Sequence, residues 1–458
     1  MVMKFYKESF IKAEPSEVYR WHMAPGAFLR LKPPWENVEL VNSEKELFEG
    51  ARALIRIFPL ANTRTIYIDW LAEHTDIELN KGFTDFQVRG PFKRWRHRHR
   101  FQEHNGGCLL QDEIEFELLA HPLSIPLYPY IRSKLEAMFT YRHEITQKDL
   151  DSKGANSMNV LISGSSGLVG GALVPYLSTA GHSVTRLKRS LSSRNDAKEI
   201  LWSPGAGELD AAALEGIDAV VHLAGENIAS GRWTDAKKKE LVDSRIQSTR
   251  LLVDSFKKME KKPSVFICAS AIGFYGERGD EELTEESSAG SGFLADLCKD
   301  WEKEAAKAEA LGIRTVMLRI GVVLSPEGGM LAKVLPPFQM GAGGNIGSGS
   351  QYMSWIALDD LIGLIKFALE NDSVEGPLNA VAPEAVTNAQ FTRVLGKVLG
   401  RPTIFPVPTF AARLLFGEMA EETMLASTRV APDKAEKAGY QFRYPGAESA
   451  LRHLLGKK

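Results

Sequence analysis

The chain has 458 residues, with 56 Lys and Arg against 58 Asp and Glu and a hydrophobic content of 44%. That length allows two or three domains with filled cores, and a net charge of −2 excludes a global field that would gather nucleic acid or an anionic membrane. No apolar run reaches the length of a membrane span, residues 1–10 carry charges where a signal peptide would be apolar, and Cys108, Cys268 and Cys298 lack metal spacing, so a reducing, cytoplasmic setting is expected.

Residues 1–149 are expected to form a unit of their own, of α+β type. Residues 4–12 alternate as a strand does and 15–19 open a short helix. Strand-like segments follow at 51–58, 65–73, 76–79, 84–89, 94–103 and 107–118. Residues 129–147 then read as a closing helix, with Ile131, Leu135, Met138, Phe139 and Arg142 at helical spacing. Along 94–103, Trp95, His97, His99 and Phe101 share one strand face while Arg96, Arg98 and Arg100 share the other. Two histidines on one face suit a metal, but no third ligand stands at a suggestive spacing, so no metal is expected. Asp85 and Asp112 are candidate internal partners for the imidazoles. Pro25-Gly-Ala-Phe-Leu-Arg-Leu-Lys-Pro-Pro-Trp35, Phe83-Thr-Asp-Phe-Gln87, Gly90-Pro-Phe-Lys-Arg-Trp-Arg-His-Arg-His99 and Phe139-Thr-Tyr-Arg-His143 resemble the START-like, or polyketide-cyclase-like, helix-grip fold. That resemblance covers nearly all of the segment and implies a pocket for an apolar ligand. Residues 150–158 are small and polar and read as a linker.

Val160, Leu161 and Ile162 make a strand-type apolar run. A turn of Gly164, Ser166, Gly167, Leu168, Val169 and Gly170 follows, and then a helix over 172–180 with Leu173, Val174 and Leu177 on one face. Strand, glycine turn and helix form a phosphate cradle, because glycine permits close backbone approach and a helix start presents free N–H groups. The next strand, 183–187, ends in Lys188-Arg189-Ser190 rather than in an acid. An acid there would pair with a ribose 2′-hydroxyl, whereas cations suit a 2′-phosphate, so NADP is expected in preference to NAD. A third strand over 219–223 leaves through Leu223-Ala224-Gly225, where the backbone can lie close to adenosine. Helices over 235–258 and 294–310 alternate with strands over 264–270 and 314–320, which argues for a doubly wound parallel sheet.

Gly164-Ser-Ser-Gly-Leu-Val-Gly170, His222-Leu-Ala-Gly225, Ser270-Ala-Ile-Gly-Phe-Tyr-Gly276 and Leu318-Arg-Ile-Gly-Val-Val-Leu324 look like an extended short-chain dehydrogenase/reductase. More narrowly, Gly225-Glu-Asn-Ile, Arg232-Trp-Thr, Ser244-Arg-Ile-Gln-Ser-Thr249, Ser354-Trp-Ile-Ala-Leu-Asp-Asp360, Thr387-Asn-Ala-Gln-Phe391 and Val430-Ala-Pro-Asp-Lys resemble its atypical "epimerase family" branch, which is NAD-dependent epimerase/dehydratase-like. The resemblance implies a Rossmann-like domain over 159–400 and a small C-terminal subdomain of unknown function over 401–458. It places Lys188 and Arg189 on the 2′-phosphate, Leu223 and Ala224 on the adenine ribose, and Arg245 as a further cofactor contact, with Glu240 and Glu302 behind it.

Such enzymes move a proton with a Tyr whose pKa is lowered by a Lys four residues on. In Ser291-Gly-Phe293-Leu-Ala-Asp-Leu-Cys298-Lys-Asp-Trp-Glu302 no such pair exists, and Lys299 is a substitute cation only. Ser270, beside the usual serine position that Ala271 takes, and Tyr275 are the remaining catalytic candidates. For Tyr275, packing or substrate contact is favoured over catalysis. Glu302 is left open between acid/base, cofactor contact and helix-surface charge. The glycine-rich segment 328–351 falls where the resemblance places a substrate-covering loop, and an Asp of the Ser354–Asp360 stretch is expected to cap the helix that follows. Ala357 stands where the branch usually has His.

Two functions are carried forward. One is an NADP-dependent oxidoreductase or epimerase acting on a small, sugar-like substrate. The other is a non-catalytic NADP(H)-binding sensor or scaffold with an apolar ligand in its amino-terminal domain. A homodimer through the long helices is left open, and Lys237, Lys238 and Lys239 tell against close packing on that face.

Overall fold

The computed structural model describes residues 2–43, 47–59, 64–119, 124–152, 154, 156–191 and 198–457. It divides into two compact units, one of residues up to 155 together with Pro175–Gly181, the other of Asn156–Val174 and His182–Lys458.

The first unit is an antiparallel sheet with helices on one face. Its strands are β1 (Met3–Ile11), β2 (Val38–Ser43), β3 (Arg52–Ile57), β4 (Ile68–Glu78), β5 (Gly82–Arg89), β6 (Phe92–His104) and β7 (Gly107–Leu118), in the order β1-β7-β6-β5-β4-β3-β2. Its helices are α1 (Pro15–Met23), α2 (Ala27–Leu31) and α3 (Tyr128–Asp151). Burial in β7 alternates without a break from Leu110 to Leu118, as a strand with one covered face requires. Leu135 and Phe139 of α3 pack on Met3, Phe5, Trp95, Ile114 and Phe116. The segments expected at 65–73 and 76–79 are one strand, β4, because the chain stays extended through an irregularity between Thr75 and Glu78 where Asp76 has φ 51°. Helix α3 reaches Asp151, into the expected linker, of which residues 153 and 155 lie outside the described residues.

The second unit is a Rossmann-like α/β fold. Its main strands are β8 (Asn159–Ser163), β9 (Ser183–Lys188), β10 (Lys198–Ser203), β11 (Glu208–Leu209), β12 (Ala219–His222) and β13 (Val265–Ala271), followed by Arg314–Ile320 and Gly376–Ala380. The order is β11-β10-β9-β8-β12-β13, then Arg314–Ile320 and Gly376–Ala380, parallel throughout except for β11. Val160, Leu161 and Ile162 are buried, as expected of a strand covered on both faces. The principal helices are α4 (Leu168–Thr179), α5 (Asp235–Lys258) and α6 (Phe293–Ala306). Thr234 caps α5 by accepting from the Lys237 amide, with Asp235 in the first turn and Lys257 and Lys258 in the last, which complements the helix dipole.

Helix α6 stops at Ala306, and a 3₁₀ turn (Glu309–Leu311) follows in place of the continuous helix expected to 310. The helix Leu358–Glu370 begins at Ala357 without a side-chain cap. Asp360 lies inside it and accepts instead from the Arg443 and Tyr444 amides at 2.6 and 3.0 Å. Among the described residues no helix is long and apolar enough to cross a membrane.

Candidate functional site

Strand order reverses between β8 and β12, and in such sheets ligands bind beyond the carboxyl ends of the strands at that point. The glycine turn leaves β8 there. Gly164 has φ +69°, and a Cβ on it would lie 2.7 Å from the Leu223 carbonyl carbon. A Cβ on Gly170 would lie 2.3 Å from the Gly164 oxygen, so only glycine lets α4 start this close to β8. Gly167 donates to Gly164 O at 3.0 Å and closes the turn, leaving Ser166 and Gly167 exposed at its tip. Leu168 and Val169 are half-buried, and Leu168 packs under Gly328. The Ser165 hydroxyl is buried and has no hydrogen-bond partner among the described residues. A glycine cradle with an unspent hydroxyl and a helix start fits a dinucleotide pyrophosphate.

The flanking residues converge on the same edge. Ser163 Oγ and His222 Nδ1 share a hydrogen bond of 2.6 Å, tying the ends of β8 and β12 together. Next comes the Leu223-Ala224-Gly225 exit, where Arg245 donates to Leu241 O and Glu226 O at 3.0 Å and lies against Gly225. Lys188 ends β9 half-buried, and Arg189 is exposed. Hydrogen bonds from Lys237 and Ser230, with Arg189 adding its charge, hold the Glu226 carboxyl below its ordinary pKa. Glu240 is exposed and reaches this edge only through Lys237, which bridges it to Glu226 at 2.9 and 2.6 Å.

Ser270, Tyr275 and Glu302 are brought together, but inside the unit. The Ser270 hydroxyl donates to Glu302 Oε1 at 2.7 Å. Arg319 grips the same carboxylate twice, Nε to Oε1 and Nη2 to Oε2, both at 2.8 Å. Its Nη1 donates to the Tyr275 hydroxyl at 2.9 Å, and that hydroxyl donates to Asn379 Oδ1 at 2.7 Å. Tyr275 is fully buried, and burial, opposed by Arg319, raises its pKa above the ordinary phenol value. Of the three readings of Glu302, a helix-surface charge is therefore corrected: the side chain is enclosed by its partners. Lys299 is spent on Asp296 at 2.6 Å on the surface.

In front of this network lies a cleft of about 790 Å³, lined by Gly273, Ser291, Gln351, Tyr352, Arg413 and Glu422 among others. Part of the glycine-rich segment, Ile346–Ser350, forms one wall. Glu422 belongs to the far carboxy-terminal region, yet its carboxylate accepts from the Phe293 and Leu294 amides at 2.8 and 2.7 Å and so caps α6. Sequence reasoning missed Arg319, Arg413 and Glu422. Arg319 had a signal, a lone cation inside the apolar run 316–320. Glu422 had none, since nothing local links it to α6.

Comparison with known proteins agrees with this geometry. The model of the NAD dependent epimerase/dehydratase family matches residues 160–380, and that of a domain of unknown function, DUF1731, matches 407–454. An epimerase family protein of Mycobacterium bovis is 44% identical over 64% of this chain and 96% of its own length. A crystal structure described as the nucleoside-diphosphate sugar epimerase from Corynebacterium glutamicum superposes with TM-score 0.81 at 33% identity, covering 99% of this chain and 90% of that one. The human epimerase family protein SDR39U1, solved with NADPH, gives TM-score 0.59 at 34% identity over 65% of this chain and 99% of its own. The chain therefore belongs to the NAD dependent epimerase/dehydratase family, as an SDR39U1-like epimerase family protein with a nicotinamide-nucleotide-binding Rossmann fold.

Proposed function

We propose that the second unit binds NADP(H) and acts as an oxidoreductase or epimerase on a small substrate held in the cleft before α6. The observation that carries this reading is the pairing of a glycine cradle after β8 with Lys188 and Arg189 at the end of β9. Lys188 and Arg189 hold the 2′-phosphate, Leu223, Ala224 and Gly225 let the adenosine lie against the backbone, and Arg245 stiffens that edge. The solved human relative holds NADPH, and the Corynebacterium glutamicum relative is described as a nucleoside-diphosphate sugar epimerase, which favours a nucleotide-sugar substrate. When bound, the nicotinamide supplies a hydride donor or acceptor. The chain's own part is to orient the cofactor and to cover the substrate with the glycine-rich segment. Ser270, Tyr275 and Glu302 serve as positioning residues beneath the cleft floor.

A second reading, cofactor binding without turnover, is favoured by the same network. Every candidate proton-transfer hydroxyl found by sequence is bonded inside it. The amino-terminal unit, with α3 across an antiparallel sheet, is read as a START-like helix-grip domain for a small apolar ligand.

Titration with NADPH and NADH, followed by fluorescence, tests the cofactor reading. Arg189→Ala is expected to weaken NADPH roughly ten- to a hundredfold, the worth of a charge-assisted hydrogen bond, and to leave NADH unchanged. Binding of neither nucleotide by the wild type would sink it. Loss of NADPH absorbance on addition of a nucleotide-sugar separates turnover from binding alone.

A further inference from the structure

The inner face of the first unit's sheet carries a cluster of imidazoles and carboxylates. Register puts it there: Asp85 of β5 lies opposite both His74 of β4 and His97 of β6, and His99 lies opposite Asp112 of β7. Opposed residues and residues two apart share a face, so all five side chains stand on one side. The His97 and Asp112 side chains are 4% exposed and His99 8%, whereas Asp85 keeps 21%.

Asp85 Oδ2 is 3.6 Å from His97 Nδ1 and 3.3 Å from His99 Nε2, and one ligand atom from each of the three residues lies within 4.8 Å of the others. Donors about 2.0–2.1 Å from a zinc-class ion at tetrahedral angles stand about 3.3 Å apart. Behind the rings stands one oxygen: His97 Nε2 hydrogen-bonds Asp112 Oδ1 at 2.7 Å, and His99 Nδ1 lies 2.8 Å from the same atom without the alignment of a hydrogen bond. Asp112 Oδ2 takes His143 Nε2 at 2.6 Å, and His74 Nε2 stands 3.0 Å from Asp85 Oδ1. A carboxylate behind each imidazole is how metal ligands are held to one tautomer and one orientation. Arg142, which donates to Leu31 O, brings one positive charge to two buried carboxylates.

We propose that Asp85 Oδ2, His97 Nδ1 and His99 Nε2 form a binding site for a divalent transition-metal ion of the zinc class, with Asp112 orienting the His97 imidazole. Three protein ligands leave a fourth coordination position open, and the partial exposure of Asp85 gives the ion its way in. The expectation of no metal rested on the lack of a third ligand by spacing, and β5 supplies that ligand from the neighbouring strand.

The full chain, stripped with a chelator, is titrated with zinc chloride by calorimetry and with cobalt chloride by visible absorption. One ion per chain and ligand-field bands of a four-coordinate cobalt site are expected. Asp85→Asn and His99→Gln should each lose at least tenfold in affinity. Asp112→Asn, which touches no ion, should weaken binding about 10–100-fold at unchanged stoichiometry. Circular dichroism checks that each variant is folded; for one that is not, the cobalt spectrum of the wild type decides. A folded wild type that takes up no zinc and shows no cobalt bands, or zinc bound equally by Asp85→Asn and His99→Gln, overturns the site. In that case protonated imidazoles alone balance the two carboxylates.

Discussion

In the second unit the buried Glu302 carboxylate meets Arg319 through two hydrogen bonds of 2.8 Å, while in the first the Asp85 carboxylate faces imidazole nitrogens at 3.3 and 3.6 Å. The Glu302 cluster is closed. Its carboxylate, guanidinium, Ser270, Tyr275 and Asn379 satisfy one another, so desolvated charge is matched within the fold and no ligand is needed. The Asp85 cluster instead sets one carboxylate among three imidazoles, with His74 Nε2 at 3.0 Å and the His97 ring hydrogen-bonded to Asp112 behind it. On the metal-site proposal, imidazoles and a carboxylate that meet loosely offer ligand atoms to an ion, where a carboxylate locked to a guanidinium offers none.

Removing one side of the closed pair should have the largest effect. Glu302→Gln strands a buried guanidinium, and denaturant unfolding is expected to show a loss of about 3–5 kcal/mol, much of it regained in Glu302→Gln/Arg319→Met. A single variant as stable as wild type would show that the network carries no such weight.

His222 offers a second way to sharpen the contrast, since burial, aided by the Arg245 charge, pushes its pKa down to about 3. The folded value lies below the unfolded one, so its contribution is present above about pH 6.5 and is lost as pH falls. The loss is about 1.4 kcal/mol per pH unit, or about 2.7 kcal/mol by pH 4.5. His222→Gln should flatten the stability curve by that slope between pH 6.5 and 4.5. An unchanged slope would mean that the imidazole is already charged.

The glycine turn should respond to the nucleotide where the closed network does not. Gly170→Ala forces a Cβ into the Gly164 carbonyl, an overpacking worth about 1–3 kcal/mol, and NADPH affinity is expected to fall with it. Ser270→Ala should cost only about 1 kcal/mol, because Arg319 still covers Glu302, and should leave NADPH affinity alone. Loss of turnover in Ser270→Ala at unchanged stability and affinity would instead place its hydroxyl on a substrate.

The second unit was the more legible of the two. Val160, Leu161 and Ile162 form an unbroken apolar run, and a fully covered parallel strand needs no alternation, so the run and the glycines after it announce the cradle. Lys188 and Arg189 are read at a strand end that lies where periodicity puts it. What joins distant segments was hidden. Arg319 and Glu302 are each visible, but their meeting depends on how α6 lies against the strand Arg314–Ile320. The same holds for Asp85, whose place beside His97 is set by strand register rather than by any spacing along the chain. The strands Val38–Ser43 and Lys198–Ser203 also escaped.

The cap on α6 has a consequence for the order of events at the ribosome. Phe293 emerges 129 residues before Glu422, whose carboxylate satisfies the first amides of that helix. At about 5–20 residues per second, the start of α6 stands open for roughly 6–26 seconds of synthesis. During that interval a helix beginning beside the cleft holds bare N–H groups, and the nucleotide-binding half reaches its final form only once the carboxy-terminal segment has been made.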